Sequence, residues 1–233
     1  MPGVYWRHLK NERKGGSSLK KTLYSLMLSE QVVREVDALA HRLGTNRSAL
    51  INQILAEYVN LTTPERRINE VLSAIEQLMI PSRDLVPFFA PNSFSMSLKS
   101  SLEYKYRPTV KYEVELYRGA GESIGALSVV FRTQSAALIE GMTAFFRLWK
   151  RIEDAHLRPR SGAVIDYALY DGKFVRSLAA PDRDCTADEL AGALSEYIML
   201  FDKLLKQYLG GRLDAHEVEA SYYAHMLQAP IHI

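Results

Sequence analysis

Apolar residues along this chain follow two rhythms, a two-residue alternation in short stretches and three- and four-residue steps in longer ones. The first stretch is Leu23-Tyr24-Ser25-Leu26-Met27-Leu28. Read as a short strand, it puts Tyr24, Leu26 and Leu28 on one face and Leu23, Ser25 and Met27 on the other. Ser29 follows with an oxygen suited to capping a helix, and Glu30 places an anion in the first turn, where the helix dipole stabilises it. Val32, Val33, Val36, Leu39, Ala40 and Leu43 then recur at helical spacing, and Gly44 stops the pattern. Asn46 is placed to cap a second helix with a stripe of Leu50, Ile51, Ile54, Leu55, Tyr58 and Val59. A third helix opens at Thr63 with Pro64 at its first position, carries Ile68, Val71, Leu72, Ile75 and Leu78, and ends before Pro81. Residues 61–80 are thus expected to form a connecting helix.

Three prolines between residues 81 and 92 are expected to interrupt any regular element and to mark a domain boundary. Beyond them residues 110–117 alternate, with Val110, Tyr112, Val114 and Leu116 on one face and Lys111, Glu113 and Glu115 on the other. The turn Gly119-Ala120-Gly121 leads to a second strand over residues 124–131. A long helix is expected over residues 134–154, with Leu138, Met142, Phe145, Trp149 and Ile152 on one stripe. The order then recurs. Strands over residues 163–170 and 173–178 flank Asp171-Gly172, a hairpin turn signal, and a helix capped by Thr186 runs to residue 209 before Gly210-Gly211. A short Leu-Tyr-X-Gly match at residues 116–119 and 169–172 raises the question of two strand-strand-helix units. A last helix is expected over residues 215–227.

The expected fold class is therefore α+β. A small N-terminal module over residues 20–60 precedes a larger α+β domain over residues 81–233, built from hairpins and long helices. With 47% hydrophobic and 24% charged residues, the composition is that of a folded chain rather than a disordered one. No apolar run approaches the ~18 residues that span a bilayer, and the first residues lack a signal peptide's apolar stretch. The lone Cys185 is compatible with a reducing compartment. These features lead us to expect a cytoplasmic protein without a membrane partner. The net charge of +2 hides a gradient. Residues 1–60 hold nine Lys and Arg against five Asp and Glu, and six of the nine cations lie within the first 21 residues. Residues 1–19 read as a flexible basic arm ending in Gly15-Gly16-Ser17-Ser18, either a solvated tail or a polyanion contact.

A six-residue strand is unstable alone, because its edges leave amides and carbonyls unpaired. Pairing with the same strand of a second copy resolves this, and two helices per copy then cover the inner face. At this point the sequence resembles a family. Lys20-Lys21-Thr22-Leu23-Tyr24-Ser25-Leu26-Met27-Leu28-Ser29-Glu30, then Leu43-Gly44 and Asn46-Arg47-Ser48-Ala49-Leu50-Ile51, is similar to ribbon-helix-helix repressors of the CopG, MetJ and Arc type, over about 40 residues. The resemblance implies a homodimer whose antiparallel ribbon enters the major groove of double-stranded DNA. Lys20, Lys21, Leu23, Ser25 and Met27 would then face the bases and backbone, while Asn46, Arg47 and Ser48 at a helix N-terminus would hold a phosphate. Leu23 and Met27 depart from the hydrogen-bonding residues usual on that face, which leaves phosphate binding intact but suits sharp base reading less well. The function implied is a transcriptional regulator acting as a repressor. The alternative is an antitoxin or DNA-processing accessory protein whose larger domain binds a partner protein.

Few catalytic signatures stand out in the sequence. It contains no Gly-rich phosphate loop and no His-Glu-X-X-His. Its six histidines are dispersed, so neither a metal nor another cofactor is expected. Cys185 sits directly between Asp184 and Thr186 and reads as inert, and the acidic residues of the last helices read as solvated faces. The aromatic set Tyr104, Tyr106, Tyr112, Tyr117, Phe131, Phe145, Phe146 and Trp149 reads as core in preference to a ligand pocket. Spacing from Leu138 to Ile152 also suits a subunit interface. The larger domain is left with oligomerisation, sensing of a small-molecule effector or protein binding as its open roles.

Overall fold

The computed structural model describes residues 23–59, 61–89, 94–103, 107–119, 121–161 and 164–233. The basic arm, Lys20, Lys21, Tyr104 and Tyr106 lie outside the described residues. Residues 23–29 form no helix and join no strand among the described residues. Helix α1 (Glu30–Arg42) starts where Ser29 Oγ accepts the Val32 amide at 3.4 Å, and the chain turns at Gly44, whose φ of 63° is the left-handed conformation that glycine tolerates. Helix α2 (Arg47–Tyr58) starts where Asn46 Oδ1 accepts the Ala49 amide at 2.9 Å.

Helix α3 (Pro64–Met79) is capped by Thr63 and packs against the later helix α6 (Ala187–Leu209). Its buried face is Ile68, Val71, Leu72, Ile75 and Met79, whereas Leu78 stays half-exposed. Each such side chain contributes about 1.5–3 kcal/mol on burial, so α3 is held within the core of the larger body as well as linking to it.

Among the described residues six strands follow, in a single antiparallel sheet of order β1-β2-β3-β4-β6-β5. They are β1 (Leu85–Phe89), β2 (Ser95–Ser101), β3 (Thr109–Leu116), β4 (Ser123–Phe131), β5 (Tyr167–Tyr170) and β6 (Lys173–Ala179). Helices α4 (Ala136–His156) and α5 (Arg158–Ser161) lie between β4 and β5, and α7 (Ala215–Gln228) ends the chain. Alternation sends Met96, Leu98, Val110, Tyr112, Val114, Leu127, Val129, Phe174 and Leu178 into the core, where α3, α4, α6 and α7 contribute the facing side chains. Rings interlock there: Phe146 stacks on Phe174 at 4.8 Å between centroids, and Trp149 meets Phe201 at 4.6 Å. Gly125 on β4 pairs opposite Leu116 because a Cβ there would fall 2.2 Å from the Glu115 carbonyl oxygen. No helix among the described residues is long and apolar enough to cross a membrane.

Several expectations need correction. The proline-interrupted stretch contains β1, because Pro87 sits on an edge strand, where a missing amide is tolerated, and a register shift follows it. The serine-rich β2 was not foreseen, since serine carries little strand preference and hides the Met96/Leu98 alternation. The strand before the Asp171-Gly172 turn is shorter than expected, beginning at Tyr167. The Leu138-to-Ile152 stripe faces the chain's own core, not a subunit interface. Of the aromatic set, Tyr112, Phe131, Phe145, Phe146 and Trp149 are buried, while Tyr117 is exposed.

Candidate functional site

Twelve of the twenty-two large apolar side chains left exposed among the described residues lie within residues 23–61. From the same stretch just three apolar residues are buried, Ala40, Leu50 and Ala56, and the core cluster of the larger body includes none of them. Exposure within residues 23–28 is uneven. Leu23 and Met27 are 97% and 103% exposed and Tyr24 is 81% exposed, whereas Leu26 and Leu28 are 52% and 42% exposed. Of the inner set, Leu26 and Leu28 are thus half-covered while Tyr24 stands open with the outer set. Most of the apolar stripe of α2 is equally uncovered, with Ile54, Leu55, Tyr58 and Val59 exposed.

The α2 N-terminus combines two features of opposite effect. Asn46 takes the Ala49 amide and its carbonyl takes the Leu50 amide, so the Arg47 and Ser48 amides stay at the helix mouth. Arg47, however, is already engaged. Its Nε donates to Asp37 Oδ1 at 2.6 Å and its Nη2 donates to Oδ2, a fork that ties α2 to α1. Hydrogen bonding from Arg47 holds the Asp37 carboxyl below its ordinary range. A phosphate at this helix mouth would have to share or displace that carboxylate. Leu23, Ser25 and Met27 stand together on one exposed segment, and Asn46, Arg47 and Ser48 stand together at the α2 start; all are open to solvent.

A second constellation lies inside the larger body. Arg176 of β6 and Glu153 of α4 are both buried, with Arg176 Nε 2.9 Å from Glu153 Oε2. Three phenols complete the carboxylate's shell: Tyr167 Oη donates to Oε2 at 2.7 Å, and Tyr197 and Tyr222 donate to Oε1 at 3.0 and 3.4 Å. Trp149 Nε1 donates to Tyr197 Oη at 2.8 Å, and Arg176 also donates to the carbonyls of Ser177 and Ile233. Burial pushes all three phenols up, with Glu153 adding to it. Burial opposes the Arg176 charge too, but the Glu153 carboxylate and the Tyr197 and Tyr167 phenols together outweigh it and the net shift is upward. Every polar atom in the cluster has a partner, so the arrangement fixes α4, α6, α7 and the sheet relative to each other and offers no open position to a reactant.

The sequence carried a usable signal for this cluster, since Arg176 alternates with Phe174 and Leu178 on an inward-facing strand row. Asp202 is likewise buried, correcting the expectation that acidic residues of the late helices are all solvated. It accepts from Tyr112 Oη at 2.9 Å and pairs with Lys206 at 2.7 Å. Cys185 does have a basic neighbour in space: Arg67 Nη2 lies 3.9 Å from its Sγ and donates to its carbonyl at 2.6 Å. Among the described residues no group of three or more His, Cys, Asp or Glu is placed to hold a metal ion. Compared with protein families, with curated proteins and with solved structures, the chain matches none.

Proposed function

We propose that this chain is a homodimeric DNA-binding regulator of the ribbon-helix-helix kind, acting as a repressor by occupying an operator. The observation that carries the reading is the apolar surface concentrated in residues 23–61, which includes a segment, residues 23–28, that pairs with no strand among the described residues. Two copies pairing these segments antiparallel would satisfy both needs at once, since the backbone gains partners and the half-covered Leu26 and Leu28 gain a facing set. Burial of each large side chain adds about 1.5–3 kcal/mol to association, before the entropy of ordering two chains. Leu23, Ser25 and Met27 would face the major groove, where apolar groups meet thymine methyls and a hydroxyl meets several base edges. The α2 amides would hold a flanking phosphate.

Leu23 and Met27 also favour a second reading, in which this face or the larger domain meets a partner protein, as in an antitoxin or a DNA-processing accessory factor. Sedimentation equilibrium separates a dimer of 26.4 kDa chains from a monomer, and the Leu26→Asp/Leu28→Asp double variant should be monomeric with its far-ultraviolet spectrum largely kept. Fluorescence anisotropy on duplexes selected by the full chain should show affinity falling with salt, by a log–log slope of about −0.9 for each phosphate neutralised. A wild-type monomer at about 10 μM, well above the ~10⁻⁸–10⁻¹¹ M of specific DNA complexes, or duplex binding with no salt slope, refutes the regulator.

A further inference from the structure

Where α4 overhangs the edge strand β5, the larger body opens into a cavity of about 310 Å³ that the Glu153 cluster does not occupy. Its floor is apolar, formed by Phe146 of α4, Ala168 and Leu169 of β5, Phe174 of β6 and the ring of Tyr167. Its rim is charged. Arg147, Lys150, Arg151 and Asp154 follow each other at helical steps along one face of α4. Lys150 pairs with Asp154 and lies 5.3 Å over the Tyr167 ring, so those two groups compensate each other. Arg147 and Arg151 are exposed, stand one turn apart, and have no ion-pair partner among the described residues. The Tyr167 hydroxyl is fixed by Glu153 at 2.7 Å, so the floor is pre-set rather than adjustable.

We infer that this cavity is a binding site for an organic monocarboxylate with an apolar body, such as a medium-chain fatty acid or an aromatic acid. An apolar floor takes up hydrocarbon, and a planar guanidinium fork matches a carboxylate in two parallel hydrogen bonds. The volume lies at the lower end of the ~300–1,000 Å³ of small-ligand pockets, which sets a body of one or two rings or a chain of moderate length. Nucleic acid fits poorly, because a phosphate backbone has nothing to place on Phe146, Leu169 and Phe174. The site does not depend on the DNA reading, and its occupancy is measured without DNA.

Isothermal titration of the full chain with decanoate, and with decanol as the neutral isostere, tests the assignment. Decanoate should bind with one site per chain, and decanol about tenfold or more weakly, as two lost charge-assisted hydrogen bonds require. Arg147→Gln/Arg151→Gln changes exposed side chains only and should remove that preference while leaving the thermal midpoint in place. Leu169→Trp, on the same face as Phe174, fills the floor and should abolish binding. Should that variant fail to fold, a photoreactive diazirine fatty acid on the wild-type chain must label peptides containing residues 146–151 or 167–174. Equal affinity for decanoate and decanol, no heat up to about 1 mM ligand, a preference for decanoate that survives loss of both arginines, or label elsewhere, overturns the proposal.

Discussion

Replacing Glu153 by Gln strands the Arg176 guanidinium in a site where neither side chain has measurable contact with water. A buried ion pair contributes little compared with a well-packed apolar pair of the same shape, but losing one partner leaves a charge without compensation, at a cost of about 3–5 kcal/mol. Three phenols that now donate to the carboxylate would also have to share a carboxamide. Arg176→Met should cost a similar amount, because the Glu153 carboxylate then keeps its phenol donors but loses its counterion. Removing both charges should cost at least about 2 kcal/mol less than the sum of the two singles, since the residues are in direct contact. Urea unfolding followed by tryptophan fluorescence suits the question, because Trp149 donates to Tyr197 within the cluster and reports it directly. With a denaturant slope of about 3 kcal/mol/M, the single variants should shift the midpoint by roughly 1–1.7 M. Single variants costing under about 1 kcal/mol, or a double variant equal to the sum, would show that the pair is hydrated or that its shell readjusts freely.

Alkaline titration should divide the thirteen tyrosines into two groups. Burial raises Tyr112, Tyr167, Tyr197 and Tyr222, so the stability they contribute is present below the ordinary phenol value of 10.0 and lost as pH rises beyond it. These four should form phenolate only as near-ultraviolet dichroism collapses; thirteen reversible ionisations with the spectrum intact would contradict the burial. In the α6 capping box, the Thr186 amide, the Arg183 guanidinium and the Thr186 hydroxyl hold the Glu189 carboxyl at about 2. Its stabilisation is therefore full above the ordinary 4.5 and lost as pH falls toward 2, and a carbon-detected NMR titration with a midpoint near 4.5 would show the box to be open in solution. Gly125→Ala should lower the thermal midpoint through a loss of about 1–3 kcal/mol, because the new methyl meets the Glu115 carbonyl; an unchanged midpoint would mean the strands separate there at no cost.

Local chemistry was legible in the sequence wherever it is decided within a few residues. Ser29, Asn46, Thr63 and Thr186 cap the helices assigned to them, and the Asp171-Gly172 turn joins β5 to β6 with Gly172 at φ 69°. The strands that went unread depend on neighbours. Whether Pro87 breaks a strand or edges one is settled by where β2 lies, and the serines of β2 become a strand through pairing with β3. The inward row of β6 signalled that Arg176 is buried, but its pairing with Glu153 was hidden for the same reason. Glu153 follows Ile152 at the margin of an apolar stripe, and no local rule places an arginine from a strand 23 residues later against it. In the N-terminal module the legible part was the helices and their caps, while the Arg47–Asp37 fork needed the α1–α2 turn to bring residues ten apart into contact.

Pro87 has a consequence beyond its own strand. Sheets with long, flat borders recruit strands from other molecules, and that recruitment starts fibrous growth. Here one border lacks a donor at Pro87 and slips register just after it, while the opposite border is the four-residue β5. Neither margin offers a regular row of amides and carbonyls on which another molecule's strand could template, so the sheet ends with its own six strands.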